Sequence, residues 1–352
     1  MTKACKSPIR CAVVGYGPHH IFGRAHGRWI DATPGLEWVA VCDRDVERLK
    51  SAREEFPHLE TYADAAEMLN KAEIDMVSIV TPHHTHAPLA LACMRVGVHV
   101  IVDKAMCLTA AEATEMIETA RAHDVMLAVF HARRHDGNYR AIVETVRSGA
   151  IGEVFHIELT AGGYGRPRDW WYSVKALGGG AFYLWGPHAI DWVLHLVGDR
   201  VQGVTGFYHK KVWHDVDIED QTRAILRFEN GAVADITYSH IAAAGKPLWR
   251  ILGAGGAIVD TGRGGNADYQ NEIAGPPGGN FQLITIEDGK RQETTVPYKD
   301  SDWLTYYLEI ADHLLRGGPV PVTGEDGRRT IAVFEAAERS SKSGRTEPVA
   351  FE

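Results

Sequence analysis

The chain reads as a doubly wound α/β domain built on a parallel sheet, followed by an α+β domain with an open, mainly antiparallel sheet. Three observations predict this. From Ile9 to Phe130, apolar β-type runs alternate with amphipathic helical stretches, the pattern of repeated βα units. After one more helix, over 137–149, strands follow one another with few helices between them. Asn230-Gly231 sits between two of those strands and is a strong hairpin signal. The expected domains are 1–130 and 131–352.

The 352 residues are 45% hydrophobic and 24% charged, ordinary values for a globular protein. There are 46 acidic and 37 basic residues, a net charge of −9, with the basic ones scattered. That argues against a nucleic-acid partner, which needs a basic face. No run approaches the ~20 apolar residues that cross a bilayer, so no membrane partner is expected. The apolar run Cys11–Val14 breaks at Gly15, too short for a signal-peptide core. The five cysteines (Cys5, Cys11, Cys42, Cys93, Cys107) include no C-x-x-C pair. Reduced thiols in a cytoplasmic protein, without a metal site, are expected.

Taken in order, Ile9–Val14 is a strand that runs directly into Gly15-Tyr16-Gly17. Strand, glycines and helix together let backbone N–H groups approach a pyrophosphate. The third glycine of G-x-G-x-x-G belongs at position 20, which is His20, and Gly23 comes three residues late. Pro18-His19-His20 therefore reads as a small insertion, although an ordinary βα turn would also suit a broken motif. The second strand, Glu37–Cys42, ends at Asp43. An acidic residue there can accept hydrogen bonds from ribose hydroxyls and would repel a 2′-phosphate, which favours NAD over NADP. Arg44, beside it, can instead meet a phosphate or stack on adenine.

Helices are expected over 45–56 and 63–70, a strand over 76–80, and a helix over 86–96. Thr81-Pro82-His83-His84-Thr85-His86 lies at a strand end, in the crevice where open α/β sheets bind ligands. Filling a polar loop and starting a helix at His86 would account for the same residues. The next strand, over 98–102, ends in Asp103-Lys104, so Lys104 also faces the crevice. Thr109 is the expected N-cap of a helix over 110–123, and Met126–Phe130 is the last strand of this half.

In the second half, strands are expected over 153–161, 221–228, 232–239, 248–252 and 281–287, with loops through the glycine-rich 253–279. Helices are expected over 187–196, 303–315 and 328–343. Two places suggest a ligand. Arg166-Pro167-Arg168-Asp169-Trp170-Trp171-Tyr172 puts three aromatics in a polar loop; such rings stack on sugar faces, or plug a domain core. In Gly178-Gly179-Gly180-Ala181-Phe182-Tyr183-Leu184-Trp185-Gly186-Pro187-His188, the glycines allow close backbone approach. His188 and Asp191 then share one helix face, and a histidine beside a glycine loop at a helix start suits proton transfer.

Taken together, these motifs resemble the Gfo/Idh/MocA family of NAD(P)-dependent oxidoreductases over nearly the whole chain. The G-x-G loop is Gly15/Gly17, T-P-x-x-x-H is Thr81–His86, and E-K-P is Asp103-Lys104-Ala105. R-R-x-D is Arg133-Arg134-His135-Asp136, and D-x-G-x-H-x-x-D is Leu184–Asp191. The stretch 321–343 resembles the family's closing helix. The resemblance implies a Rossmann domain holding NAD, with NADP the lesser expectation, through Gly15, Gly17, His19, His20, Asp43, Arg44, Thr81, Pro82, His83, His86, Asp103 and Lys104. It implies a carbohydrate-like substrate met by Lys104, Arg133, Arg168, Trp170, Trp171, Tyr172, Tyr183, Trp185 and His188. In similar enzymes the lysine and histidine, here Lys104 and His188, flank a substrate hydroxyl whose carbon gives a hydride to the nicotinamide. One of them takes the hydroxyl proton, which requires a pKa near the working pH.

Three positions depart from the pattern. Asp103 and Ala105 replace Glu and Pro, which keeps a carboxylate beside the lysine, and Leu184 replaces the first aspartate of the second motif. The expected function is an NAD-dependent dehydrogenase acting on a secondary alcohol of a sugar, cyclitol or glycoside. One alternative is an NAD-dependent glycosidase working by transient oxidation and elimination; another is a non-catalytic dinucleotide-responsive regulator. Similar proteins pair through the open sheet, so a homodimer or homotetramer is expected.

Overall fold

A computed structural model of the chain describes residues 8–17, 22–260 and 278–350. They fall into two compact units: residues up to Ala132 together with Asp302–Arg328, and Arg133 to Ser301 together with the residues after Arg328. No helix among the described residues is long and apolar enough to cross a membrane.

The first unit runs β1 (Ile9–Val14), α1 (Phe22–Asp31), β2 (Leu36–Cys42), α2 (Val46–Glu55), β3 (Glu60–Tyr62), α3 (Ala65–Lys71) and β4 (Met76–Ile79). It continues with α4 (His86–Arg95), β5 (His99–Asp103), α5 (Ala110–Ala122) and β6 (Leu127–Phe130). The sheet order is β3-β2-β1-β4-β5-β6, parallel throughout. Every residue of β4, β5 and β6 is buried, because helices cover both faces of a doubly wound sheet. The order reverses between β1 and β4, so the ligand crevice opens at the carboxyl ends of those two strands. Thr109 caps α5 in a full capping box with Glu112. Only β3 escaped the sequence reading, being three half-exposed residues at a sheet edge.

Residues 302–328 return to this unit, whereas the sequence pattern assigned everything after 130 to the second domain. Their helix, numbered α9 below (Leu304–Arg316), carries Tyr306 and Tyr307, both fully buried. The Tyr306 hydroxyl donates to the Val129 carbonyl at 2.9 Å. The Tyr307 hydroxyl lies 2.6 Å from His26 Nδ1 and 3.0 Å from Ser78 Oγ. An aromatic stripe reads as an amphipathic helix in any domain, so the periodicity could not say which core receives it.

His26, on α1, is fully buried against Phe22, Trp29 and Phe130, and burial pushes its pKa down to about 3. The folded ring therefore stays neutral in a range where the unfolded ring, at about 6.5, takes up a proton. The unfolded state binds more protons there, so stability falls as pH drops from about 6.5 toward 3. For His26 alone the loss between pH 6.5 and 5 is on the order of 2 kcal/mol. We expect the urea midpoint to fall between pH 7 and pH 5, and the fall to shrink in His26→Gln. An equal fall in both proteins would remove His26 as the cause.

The second unit holds α6 (Gly137–Arg147), β7 (Val154–Gly162), α7 (Lys175–Gly178), α8 (Phe182–Val197), β8 (Val201–His209), β9 (Gln221–Phe228) and β10 (Val233–Ser239). There follow β11 (Trp249–Gly253), β12 (Gly256–Asp260), β13 (Asn280–Glu287) and β14 (Lys290–Pro297), and α10 (Gly324–Ser343) belongs to this unit from residue 329 onward. The sheet order is β14-β13-β12-β11-β7-β10-β9-β8. Every pairing is antiparallel except β7 with β10. Asn230-Gly231 turns β9 into β10, with Gly231 at φ 89°.

Strands β8, β12 and β14 were not anticipated. β14 is almost wholly exposed and polar, so it lacks the apolar alternation that marks a strand. β8 carries Gly206, where a Cβ would stand 1.9 Å from the Ala337 carbonyl oxygen. Helix α8 starts at Phe182, not at Pro187, which lies inside it. Proline favours the first turn of a helix, so the sequence reading placed the start five residues late.

Candidate active site

The nucleotide end of the first unit is built by three glycines, two of them crowded and one open. Gly15 follows β1 at φ 97°, and a Cβ there would stand 2.3 Å from the Val80 carbonyl oxygen. Gly17, at φ 79°, has nothing within 4 Å of where its Cβ would be, so its backbone is open to close approach. Gly23 on α1 is the third glycine: its Cβ would lie 1.8 Å from the Gly15 carbonyl oxygen. The helix thus packs on the turn only because residue 23 is glycine, three positions later than the usual spacing. His19 and His20 lie outside the described residues. Gly23→Ala must push the helix off the turn, at about 3 kcal/mol or more. We expect that variant to lose dinucleotide affinity as well as melting temperature; a full-affinity Gly23→Ala protein would contradict this packing.

Asp43 is 7% exposed at the end of β2. Its Oδ2 accepts from the N–H groups of Tyr16 at 2.9 Å and Gly17 at 3.2 Å, and its Oδ1 accepts from Asp45 N–H at 3.0 Å. Arg48 Nη1 stands 3.3 and 3.4 Å from the two oxygens. Arg44 is exposed. The aspartate read as a ribose ligand is thus also the clamp that holds the glycine turn to β2.

At the end of β4 the Thr81 and Thr85 hydroxyls lie 2.6 Å apart, and the Thr85 hydroxyl donates to the Pro82 carbonyl at 2.7 Å. His83, 1% exposed, accepts the Ala105 N–H on Nε2 at 3.1 Å, with the Lys104 carbonyl 3.2 Å from the same atom. One ring nitrogen cannot accept and donate at once, so the N–H of Ala105 makes the bond and the carbonyl is a close neighbour. His86 is fully buried between two carbonyls, with Nδ1 2.9 Å from Ala105 O and Nε2 2.7 Å from Thr81 O, and its neutral ring donates to one of them. Burial pushes its pKa down to about 4 against the pull of those carbonyls. The two histidines therefore fasten the backbone around Lys104, a role for which the sequence offered no signal. The Lys104–Ala105 peptide is cis. Asp103 is 8% exposed, and burial pushes its carboxyl up to about 6 against the opposing charge of Lys104.

In the second unit, Gly179 (φ 92°) and Gly180 (φ 114°) lead into α8. A Cβ on Gly180 would lie 2.8 Å from Glu219 Oε2, the same oxygen that accepts the Ala181 N–H at 3.0 Å. Lys175 Nζ donates to Glu219 Oε1 at 2.5 Å and to Glu338 Oε1 at 3.0 Å. Glu219 lies 38 residues from the helix start it holds, and no motif marked it.

His188 on α8 is 8% exposed, with its ring 5.7 Å from that of Trp185 and 6.2 Å from that of Trp192. The Arg133 guanidinium lies 5.1 Å from the Trp185 ring and pairs with Asp136 at 2.9 Å. Arg133, Trp185 and His188, singled out separately in the sequence, are thus neighbours. Asp191 is buried in a two-pronged pair with Arg134, Nε to Oδ2 at 2.9 Å and Nη2 to Oδ1 at 2.6 Å. Leu184 is half-buried one helical turn before His188, where a carboxylate at i, i+4 would face the ring.

Trp170, Trp171 and Tyr172 are half-buried and pack on one another: Trp171 and Tyr172 stack with centroids 3.7 Å apart, and Trp170 meets both edge-on. Arg168 is exposed. Tyr183 is not grouped with them: it is buried, with its ring 4.5 Å from that of Phe334.

Comparison with known proteins agrees with this arrangement. Residues 9–131 match the NAD-binding Rossmann-fold domain of the Gfo/Idh/MocA oxidoreductase family, and residues 139–259 match a Gfo/Idh/MocA C-terminal domain. The chain is 27% identical over 351 residues to the scyllo-inositol 2-dehydrogenase (NADP(+)) IolW of Bacillus subtilis, covering 96% of this chain and 95% of that one. It is 26% identical over 348 residues to the myo-inositol 2-dehydrogenase of Thermotoga maritima, covering 96% and 98%. Among solved structures, the oxidoreductase yvaA from Bacillus subtilis superposes with a TM-score of 0.88 at 26% identity, over 97% of this chain and 99% of that one. Both halves of the chain are thus matched, and this chain belongs to the Gfo/Idh/MocA family of oxidoreductases.

Proposed function

We propose that the protein is a dehydrogenase that moves a hydride between a nicotinamide dinucleotide and a secondary alcohol or ketone of a sugar, cyclitol or glycoside. The observation that carries this reading is Lys104, set at the carboxyl end of β5 with the backbone around it fastened by His83 and His86. The glycine geometry at 15, 17 and 23 fits a pyrophosphate, and the acidic Asp43 supports NAD as a working cofactor. When bound, the nicotinamide supplies the hydride acceptor. Lys104 and His188 bind the substrate hydroxyl, and one of them removes its proton. Arg133, Arg168, Trp170, Trp171, Tyr172 and Trp185 are the candidate sugar contacts. The inositol specificity in the names of two relatives supports a polyhydroxylated ring as substrate class.

Leu184 favours one second reading. Without a carboxylate one turn before His188, the protein would hold the dinucleotide without turning a substrate over, as a dinucleotide-responsive regulator. Homo-oligomer formation through the open sheet face that carries Phe207, Arg223 and Asp235 belongs to the proposal, as does a cytoplasmic setting for the buried thiols of Cys11, Cys42, Cys93 and Cys107.

The test mixes purified protein and NAD⁺ with cyclitols, aldoses and glycosides, following NADH absorbance and sugar release together. A rise in NADH is expected. Sugar release without net NADH would move the assignment to the glycosidase, and silence in both channels would end the enzymatic reading.

A further inference from the structure

The corner after β2 holds more positive charge than an acidic residue there suggests. A carboxylate offers about four lone-pair positions. On Asp43 the Tyr16, Gly17 and Asp45 N–H groups take three, and Arg48 Nη1 lies across both oxygens. The charge of Asp43 is therefore offset inside the protein and its oxygens are already engaged. Arg48 also pairs with Asp45 through Nε at 3.1 Å, and its side chain keeps 30% exposure. Arg44 is exposed at the strand end, and among the described residues no carboxylate lies within ion-pair distance of it.

Resting on the dinucleotide reading above, we infer that Arg48 sets the cofactor preference. By neutralising Asp43 it removes the repulsion that would reject a phosphate on the adenosine 2′-oxygen, so NADP(H) is accepted beside NAD(H). Arg48 is half-exposed where it meets Asp43, and Arg44 is exposed just before the N-cap of α2, so the Arg44 guanidinium can meet that phosphate while Arg48 stays on Asp43, which suits a planar, always-charged group. Asp43 alone would predict exclusion of NADP.

The test is equilibrium binding of NADH and of NADPH to the full chain, read by fluorescence and needing no substrate. Wild-type protein should bind the two with Kd values within about tenfold of each other. Arg48→Met should weaken NADPH by about 10- to 100-fold, the size of one lost charge-assisted hydrogen bond, and NADH by less than threefold. Arg48→Lys, which keeps the charge, should retain most NADPH affinity and separates a charge effect from a folding defect. NADH binding without NADPH binding in the wild type would overturn this inference and leave the dinucleotide reading standing. Equal weakening of both ligands in Arg48→Met would overturn it too. A chain that binds neither would overturn both.

Discussion

Replacing Lys104 with methionine is expected to lower turnover by roughly 10²–10⁴-fold, the usual contribution of a positioned proton-transfer group. Methionine keeps the length and apolar stem of the side chain and removes its proton-carrying end. The backbone it hangs from is held by others: His83 takes the Ala105 N–H and His86 meets the Ala105 carbonyl. The substitution should therefore leave the melting temperature near the wild-type value. His188→Gln should fall in the same range, because its ring sits among Trp185 and Trp192 and glutamine fills the space without the titratable group. Unchanged turnover in both variants would remove the proposed chemistry. A loss confined to one would name the proton acceptor.

Breaking the Arg134–Asp191 pair should have the largest effect on stability. Both partners are mostly buried, at 16% and 3% side-chain exposure, and the pairing is two-pronged. Asp191→Ala removes the carboxylate that meets two nitrogens of a guanidinium in a poorly solvated place, at about 3–5 kcal/mol. Chemical denaturation should read this directly. The double variant Arg134→Met/Asp191→Leu should recover much of the loss, since an apolar pair carries no desolvation penalty. If Asp191→Ala unfolds at the wild-type denaturant midpoint, the pair is dispensable. Because Asp191 lies one turn after His188 on α8, the double variant also tests whether the pair orients that helix: restored stability with turnover still low would assign it a positioning role.

By itself the sequence determined the parallel sheet, because β1, β4, β5 and β6 are apolar runs closed by glycine, threonine or charged residues, and such runs report burial locally. It also determined the order of the motifs, and with them the family. Gly15, Gly17 and Gly23 were legible for the same reason: a residue without a Cβ in a strand–turn–helix already states the backbone it needs. Only the tertiary structure decided the remainder, where the deciding partner is distant in the chain. Tyr306 and Tyr307 carry 302–328 back to the first unit through contacts with Val129, Ser78 and His26. Glu219 holds the start of α8 across 38 residues, and His83 and His86 turn from the crevice to the backbone around Lys104. Asp43, legible as an acid at a strand end, became a clamp paired with Arg48 only once the turn brought the Tyr16 and Gly17 N–H groups onto it. Periodicity records how much of a residue is buried, whereas the partner of a buried polar group is fixed by the fold that brings the two together.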